Sequence, residues 1–460
     1  MRLLNTETLQ LESFFGAETD IPPYAILSHT WEKVEIVFQD IQGQEKNELE
    51  RNPAFAKVEK SCRQARCDGF EYIWIDTCCI DKSSSAELSE AINSMFKWYQ
   101  QSSLCYVFLN DFNAQPLQSN SSRREKTRHP DDPFSSCRWF KRGWTLQELI
   151  APRRVDFFDK NWNYFGTRDG NLLDRLCTRT RICPEVFTEP RCWCPEAESS
   201  GAVRDGLCTK CEYLDTLPQT LDTFAVSTKM NWASSRITTR KEDAAYCLLG
   251  LFNINIPMLY GEGDKAFLRI QDAIVRQSKD QSILLWRAVP SRTRRERAMG
   301  CLAPGAENFT DSVPIIGRRV FGNNDDMIPM EITDTALKVN IWVCPCVVRS
   351  YDHYWRKHRP YNLWLGILYL APDLARPAIL LEQLGPTDQY RRVYHQIIID
   401  TTESPSRLHY SLDGKFHKKV SVMEPTMITI DVYLNEASEM HIGILLQQSQ
   451  STTAKSLPYF

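Results

Sequence analysis

Short apolar runs alternate with stretches of helical period between about residues 22 and 165, the pattern of an α/β layer built on parallel strands. Tyr24-Ala25-Ile26-Leu27 reads as a first buried strand and delivers Ser28, His29, Thr30 and Trp31 at its C-terminal end. A helix is expected over Glu50–Arg66, followed by a second strand, Tyr72-Ile73-Trp74-Ile75, which runs into Asp76-Thr77-Cys78-Cys79-Ile80-Asp81-Lys82. Ser84-x-x-Glu87 fits a capping box, and Leu88, Ala91, Ile92, Met95 and Tyr99 give the helix behind it one apolar face. Leu104–Leu109 is a third strand, ending at Asn110-Asp111, and Arg154–Phe158 a fourth. Between them, the polar Ser- and Arg-rich segment from about Asn113 to Pro133 reads as loop.

Further along, Glu242–Leu249 is helical and is expected to stop at Gly250 as a C-cap. Asp264–Ser278 predicts another helix with Phe267, Ile270, Ala273 and Ile274 inward. Beyond Gly300 the texture changes to strands such as Ala336–Val343, Leu363–Leu368 and Met427–Val432, which predict a β-sandwich-like domain. A chain of 460 residues is too long for one ordinary core. The expected division is residues 1–170 as the α/β domain, 171–290 as a Cys-containing insert with a helical segment, and 300–460 as a β-rich domain.

Composition then narrows the function classes. A net charge of −3 gives nothing global to attract nucleic acid or an anionic membrane. No run approaches the eighteen apolar residues of a membrane span. The N-terminus lacks a secretory apolar run, so the sixteen cysteines read as mostly free thiols of a reducing, cytoplasmic setting. Two close pairs, Cys192-x-Cys194 and Cys208-x-x-Cys211, fit either a structural zinc site or more free thiols. Zinc predicts one metal ion per chain on protein purified in metal-free buffer, and a stoichiometry near zero removes it.

The densest chemistry lies in Cys137–Pro152. A helix is expected from Gly143–Thr145 to just before Pro152, which cannot continue it. Trp144 and Glu148 are four residues apart and share a face of that helix. An aromatic ring beside a carboxylate suits a planar cation, the working edge of a nucleotide-handling site. Thr145-x-x-Glu148 equally fits a capping box, with the carboxylate serving only its own helix. In an open parallel sheet, ligands sit beyond the carboxyl ends of the strands, where Ser28–Trp31, Asp76–Asp81 and Asp111 all fall. Ser28 and His29 could meet phosphate or ribose, or cap their turn. Asp76 and Asp81 could orient ribose, or cap loops. Trp31, Trp139 and Trp144 are ring-stacking candidates whose other role is core packing. Cys78 and Cys79 read as small core residues, and Gly261-Glu262-Gly263-Asp264-Lys265 lacks the spacing of a phosphate loop.

The ordered blocks Tyr24–Trp31, Tyr72–Lys82, Glu87–Met95 and Arg138-Trp139-Phe140-x-x-Gly143-Trp144-Thr145-Leu146-Gln147-Glu148-Leu149 resemble the fungal heterokaryon-incompatibility (HET) domain. Asn231-Trp232-Ala233, Glu242–Gly250 and Leu259–Gly263 are similar to the segment that commonly follows it. The resemblance implies fungal non-self recognition, in which the domain triggers a death reaction on fusion of incompatible cells. HET domains in turn resemble Toll/interleukin-1-receptor (TIR) domains, some of which hydrolyse NAD with a glutamate four residues after a tryptophan. Trp144-x-x-x-Glu148 matches that spacing. The resemblance therefore implies a TIR-like fold, NAD as candidate substrate, Glu148 as catalytic group, and Ser28, His29, Trp31, Asp76, Asp81 and Trp144 around the nucleotide. It also implies self-association or an incompatibility partner protein. The alternatives are a non-catalytic assembly module and a zinc-stabilised adaptor.

Overall fold

The computed structural model describes residues 1–15, 20–43, 46–114, 132–188, 203–204, 207–208, 217–288, 300–310, 329–333, 336–349, 363–368, 377–383, 390–392, 399–400, 408–412, 416–422 and 426–433. The chain forms two compact units, one of residues 1–221 with 236–261, the other of 222–235 with 262–460.

The first unit is a seven-stranded mixed sheet with flanking helices. Its strands are β1 (Arg2–Asn5), β2 (Leu11–Ser13), β3 (Tyr24–His29), β4 (Tyr72–Trp74), β5 (Leu104–Phe108), β6 (Val155–Phe158) and β7 (Tyr164–Thr167), in the order β2-β1-β4-β3-β5-β6-β7. The four strands expected from sequence form the parallel centre, β4-β3-β5-β6, with Ile26 level with Trp74 on one side and Cys105 on the other. Antiparallel strands close both edges. All six residues of β3 are buried, as befits a central parallel strand covered on both faces.

The helices pack where their apolar faces direct. Helix α1 (Phe55–Cys67) buries Phe55, Val58, Cys62 and Ala65. It starts later than the expected Glu50, because Pro53 separates it from the short helix Lys46–Leu49. Helix α2 (Ser85–Gln101) buries Ala91, Ile92, Met95, Phe96 and Tyr99. Only half of its capping box forms. Ser84 accepts from the Glu87 amide, while the Glu87 carboxylate turns to Arg2 and the Asp81 amide. Tyrosine hydroxyls pin α2 to the sheet: Tyr99 donates to the Leu27 carbonyl at 2.9 Å and Tyr24 to the Trp98 carbonyl at 2.6 Å. Gly250 is not the expected C-cap. It lies inside a 3₁₀ turn, Gly250–Phe252, packed so closely on Phe96 that a Cβ would overlap it. The left-handed residue that ends this segment is Asn253, at φ 52°.

In the second unit, helices Val226–Ala233 and Lys265–Gln277 are each tied to neighbouring segments by polar contacts. Asp280 accepts from the amides of Val226 and Ser282, and Gln271 bonds both backbone groups of Ala303. A nine-stranded sheet follows, centred on the strand Ala336–Arg349, which pairs antiparallel with Leu363–Ile367, Phe416–Val422 and Thr426–Tyr433. Among the described residues, no helix is long and apolar enough to cross a membrane.

Candidate functional site

The carboxyl ends of β3 and β4 and helix α3 (Thr145–Ile150) meet at one place in the first unit. Ser28, fully buried at the end of β3, donates to Glu148 Oε2 at 2.5 Å and accepts from the Trp139 indole N–H at 2.8 Å. Glu148 is only 6% exposed. The capping-box alternative does not form. Trp144 is the residue preceding the helix, no side chain caps its first turn, and the Thr145 hydroxyl donates to the Trp139 carbonyl. The carboxyl of Glu148 is thus committed to the sheet rather than to its own helix. Burial raises its pKa to about 8, against the lowering pull of the Ser28 hydrogen bond; Asp76 adds to the rise, and Arg142 and Arg236 oppose it.

Asp76 behaves in the opposite way. It opens the short helix Asp76–Cys79 directly after β4 and accepts from His29 Nε2 at 3.0 Å and from the Trp31 indole at 2.7 Å. Burial pushes its pKa upward, yet Lys82, the His29 hydrogen bond and Arg142 together hold it well below the usual carboxylate range. The Lys57 ammonium lies 2.9 Å from His29 Nδ1 and 2.6 Å from Glu35. His29 Nδ1 faces both the Lys57 ammonium, which can only donate, and the Thr30 carbonyl at 3.2 Å, which can only accept, while Nε2 faces Asp76. Two carboxyl groups in one site therefore rest in different states at neutral pH, Asp76 ionised and Glu148 protonated.

Ser28, His29, Trp31 and Asp76, at or just beyond strand ends, are brought together with Glu148 of α3. Two sequence candidates stand elsewhere. Asp81 serves its own loop, accepting from the Ser83 amide and hydroxyl and from Gln39. Trp144 is tied by its indole N–H to Asp243 at 3.2 Å. Trp139 is fully buried, edge-to-face on Phe140 and Phe157, so it cannot stack on a ligand. Its part is to orient Ser28. Of the three tryptophans, Trp31 is the exposed one, at 39%, and it lines an open cleft of about 580 Å³ with Val34, Pro53, Ala54 and Arg138. Lys57, Glu35, Lys82, Arg142 and Arg236 also belong to the site. Sequence reasoning missed them because their roles rest on contacts across long chain separations. The one available signal was the cluster of cations around Trp139 and Trp144.

Cys192, Cys194 and Cys211 lie outside the described residues, and Cys208 falls in the two-residue strand Leu207–Cys208. Among the described residues, no group of three or more His, Cys, Asp or Glu is arranged to hold a metal ion.

A second segment of the same unit braces the site from behind. Gly143 N–H donates to the Ile237 carbonyl and Ile237 N–H to the Lys141 carbonyl. Arg236 donates to the Arg142 carbonyl and to the Thr145 hydroxyl. Asp243, which holds Trp144, also accepts from Tyr260. A Cβ on Gly143 would meet Thr238 at 2.5 Å and Cys247 at 3.2 Å. Gly143→Ala is therefore expected to cost about 1–3 kcal/mol, read as a lower melting temperature. An unchanged melt would mean that the 236–238 segment gives way freely.

Comparison with known proteins bears on this geometry. Residues 24–133 match the family "Heterokaryon incompatibility protein (HET)". Residues 24–133 are a HET domain. The chain is also 39% identical over 258 residues to the vegetative incompatibility protein HET-E-1 of Podospora anserina. That match takes up 55% of this chain but spans only 16% of the relative's length. No solved structure matches the chain. The HET match contains β3, β4 and β5, hence Ser28, His29, Trp31 and Asp76, whereas Glu148 and its brace at 236–261 lie beyond its end.

Proposed function

We propose that the chain is a heterokaryon-incompatibility effector that triggers cell death, and that its TIR-like N-terminal unit does so by cleaving NAD at the nicotinamide–ribose bond. The observation that carries this reading is Glu148, a nearly desolvated carboxyl bonded to Ser28 at the tip of the central strand, with Asp76 as an ionised neighbour. Nicotinamide in NAD is already a cationic leaving group, so its departure needs no general acid. The barrier lies in the ribosyl cation, which a fixed carboxylate in a site of low dielectric stabilises.

A protonated Glu148 in the free protein fits this chemistry. Approach of the cationic nicotinamide ring favours loss of its proton to solvent. The carboxylate then faces the forming ribosyl cation. As water adds to the ribose carbon, the carboxylate takes one proton from it, which restores the acid. The sum is NAD and water giving ADP-ribose, nicotinamide and one proton.

The low exposure of Glu148 also supports a second reading, a non-catalytic assembly module in which this carboxyl is structural. On the catalytic reading, self-association or a partner protein opens the site, and the lone chain is inactive until clustered. The full chain incubated with NAD at high protein concentration should release nicotinamide. Absence of release, with cell killing intact, leaves the assembly reading in place.

A further inference from the structure

Two cations near Trp31 share the charge of one acid, Asp76, and among the described residues neither forms a direct ion pair. The Lys82 ammonium sits 3.6 Å from the centre of the Trp31 ring, and the Arg142 guanidinium 5.1 Å from it. Both side chains are half-buried. Among the described residues, neither forms an ion pair within 4 Å or donates a side-chain hydrogen bond. The acid that acts on both is Asp76, whose single charge they share and whose oxygens accept from His29 and Trp31. Glu148, the next carboxyl, is kept protonated by its burial. Lys57 and Arg138 differ in this respect, since they pair with Glu35 and Glu32. Two cations held close together away from bulk water repel each other, so the free site is short of one negative charge.

We propose that Lys82 and Arg142 are a phosphate-holding pair, taking the phosphate of a nucleotide whose heterocycle rests against Trp31. The three side chains supply what such a ligand needs. A lysine acts as a point charge for phosphate, a guanidinium offers a fork of donors, and an exposed indole offers a face for stacking. The cleft of about 580 Å³ that Trp31 lines with Glu32, Lys33, Val34, Pro53, Ala54 and Arg138 has room for a base and sugar, while Lys82 and Arg142 stand over the Trp31 ring outside that lining. This inference rests on the nucleotide reading for its class of ligand, but it requires no bond to be broken.

Calorimetric titration of the full chain with ADP, adenosine and inorganic pyrophosphate tests it. ADP should bind more tightly than adenosine, weaken as salt is raised, and be displaced by pyrophosphate. Lys82→Met and Arg142→Met should each weaken ADP about 10- to 100-fold, the worth of a charged hydrogen bond, and leave adenosine unchanged. Lys82→Arg should restore most of the affinity, which a merely structural role for the stem would not require. Equal affinity for ADP and adenosine, no ADP binding, or ADP binding indifferent to both methionine variants overturns the proposal. A chain that binds ADP through Lys82 and Arg142 yet never consumes NAD fails the cleavage reading alone.

Discussion

Glu148→Gln is expected to lower nicotinamide release from NAD by about 10²- to 10⁴-fold while keeping the fold. Glutamine has the size of the native side chain and can still accept from Ser28, so the packing around Trp139 survives. What it lacks is the ability to become an anion opposite the ribosyl cation. The wild type should show kcat/KM rising with pH toward about 8, as a larger fraction of Glu148 is ionised in the free protein. The variant should lose that rise. Stability carries an independent signature with a definite sign. A carboxyl whose pKa moves from 4.5 to about 8 on folding favours the folded state fully below pH 4.5, and the advantage is lost as pH climbs through 8. The wild type should therefore melt at progressively lower temperature across that window, and Glu148→Gln should not. If nicotinamide release proceeds equally in both proteins, the carboxyl has no part in the reaction. If their melting curves follow pH in parallel, it is not held protonated.

How far the sequence led can be judged from particular residues. β3, β4, β5 and β6 were legible because a parallel strand buried on both faces is a continuous apolar run, as Tyr24–Leu27 and Tyr72–Ile75 are. Their parallel direction follows from the α/β alternation, whereas their order, with β4 and β5 on either side of β3, was not legible. The edge strands β1, β2 and β7 were not legible, since Arg2–Asn5, Leu11–Ser13 and Tyr164–Thr167 are short and lack clear alternation. In the site, Ser28, His29 and Asp76 could be placed by topology alone, because strand ends converge at the edge of a sheet. Partners could not. Thr145-x-x-Glu148 offers a local capping box, and only the presence of Ser28 at the tip of β3 decides that Glu148 leaves its own helix. The same competition settled Trp144, where Asp243, 99 residues away, claims the indole. Local spacing names the residues that have a choice; the fold makes the choice.

The end of α3 supplies the second large prediction, the loss of stability in Arg168→Met. Pro152 explains why the helix stops but leaves its last carbonyls without amide donors. Arg168, 3% exposed, answers for them, donating to the carbonyls of Leu149, Ile150, Pro152 and Arg153. Its positive charge also lies at the negative end of the helix. Methionine keeps most of the stem's bulk and removes every donor, so several buried carbonyls lose their partner at once. The expected cost is about 3–5 kcal/mol, which for a unit of this size lowers its melting temperature by roughly 10 °C. Lysine at this position should recover part of the loss, since an ammonium reaches fewer of the carbonyls than a guanidinium fork. Glu148 lies one residue before the first of these carbonyls, so a frayed α3 should also admit water to it and bring its pKa back toward 4.5. In Arg168→Met the rise of kcat/KM should accordingly move to lower pH. Loss of stability without that displacement would mean that Ser28 and Trp139 hold the carboxyl in place whatever the helix end does.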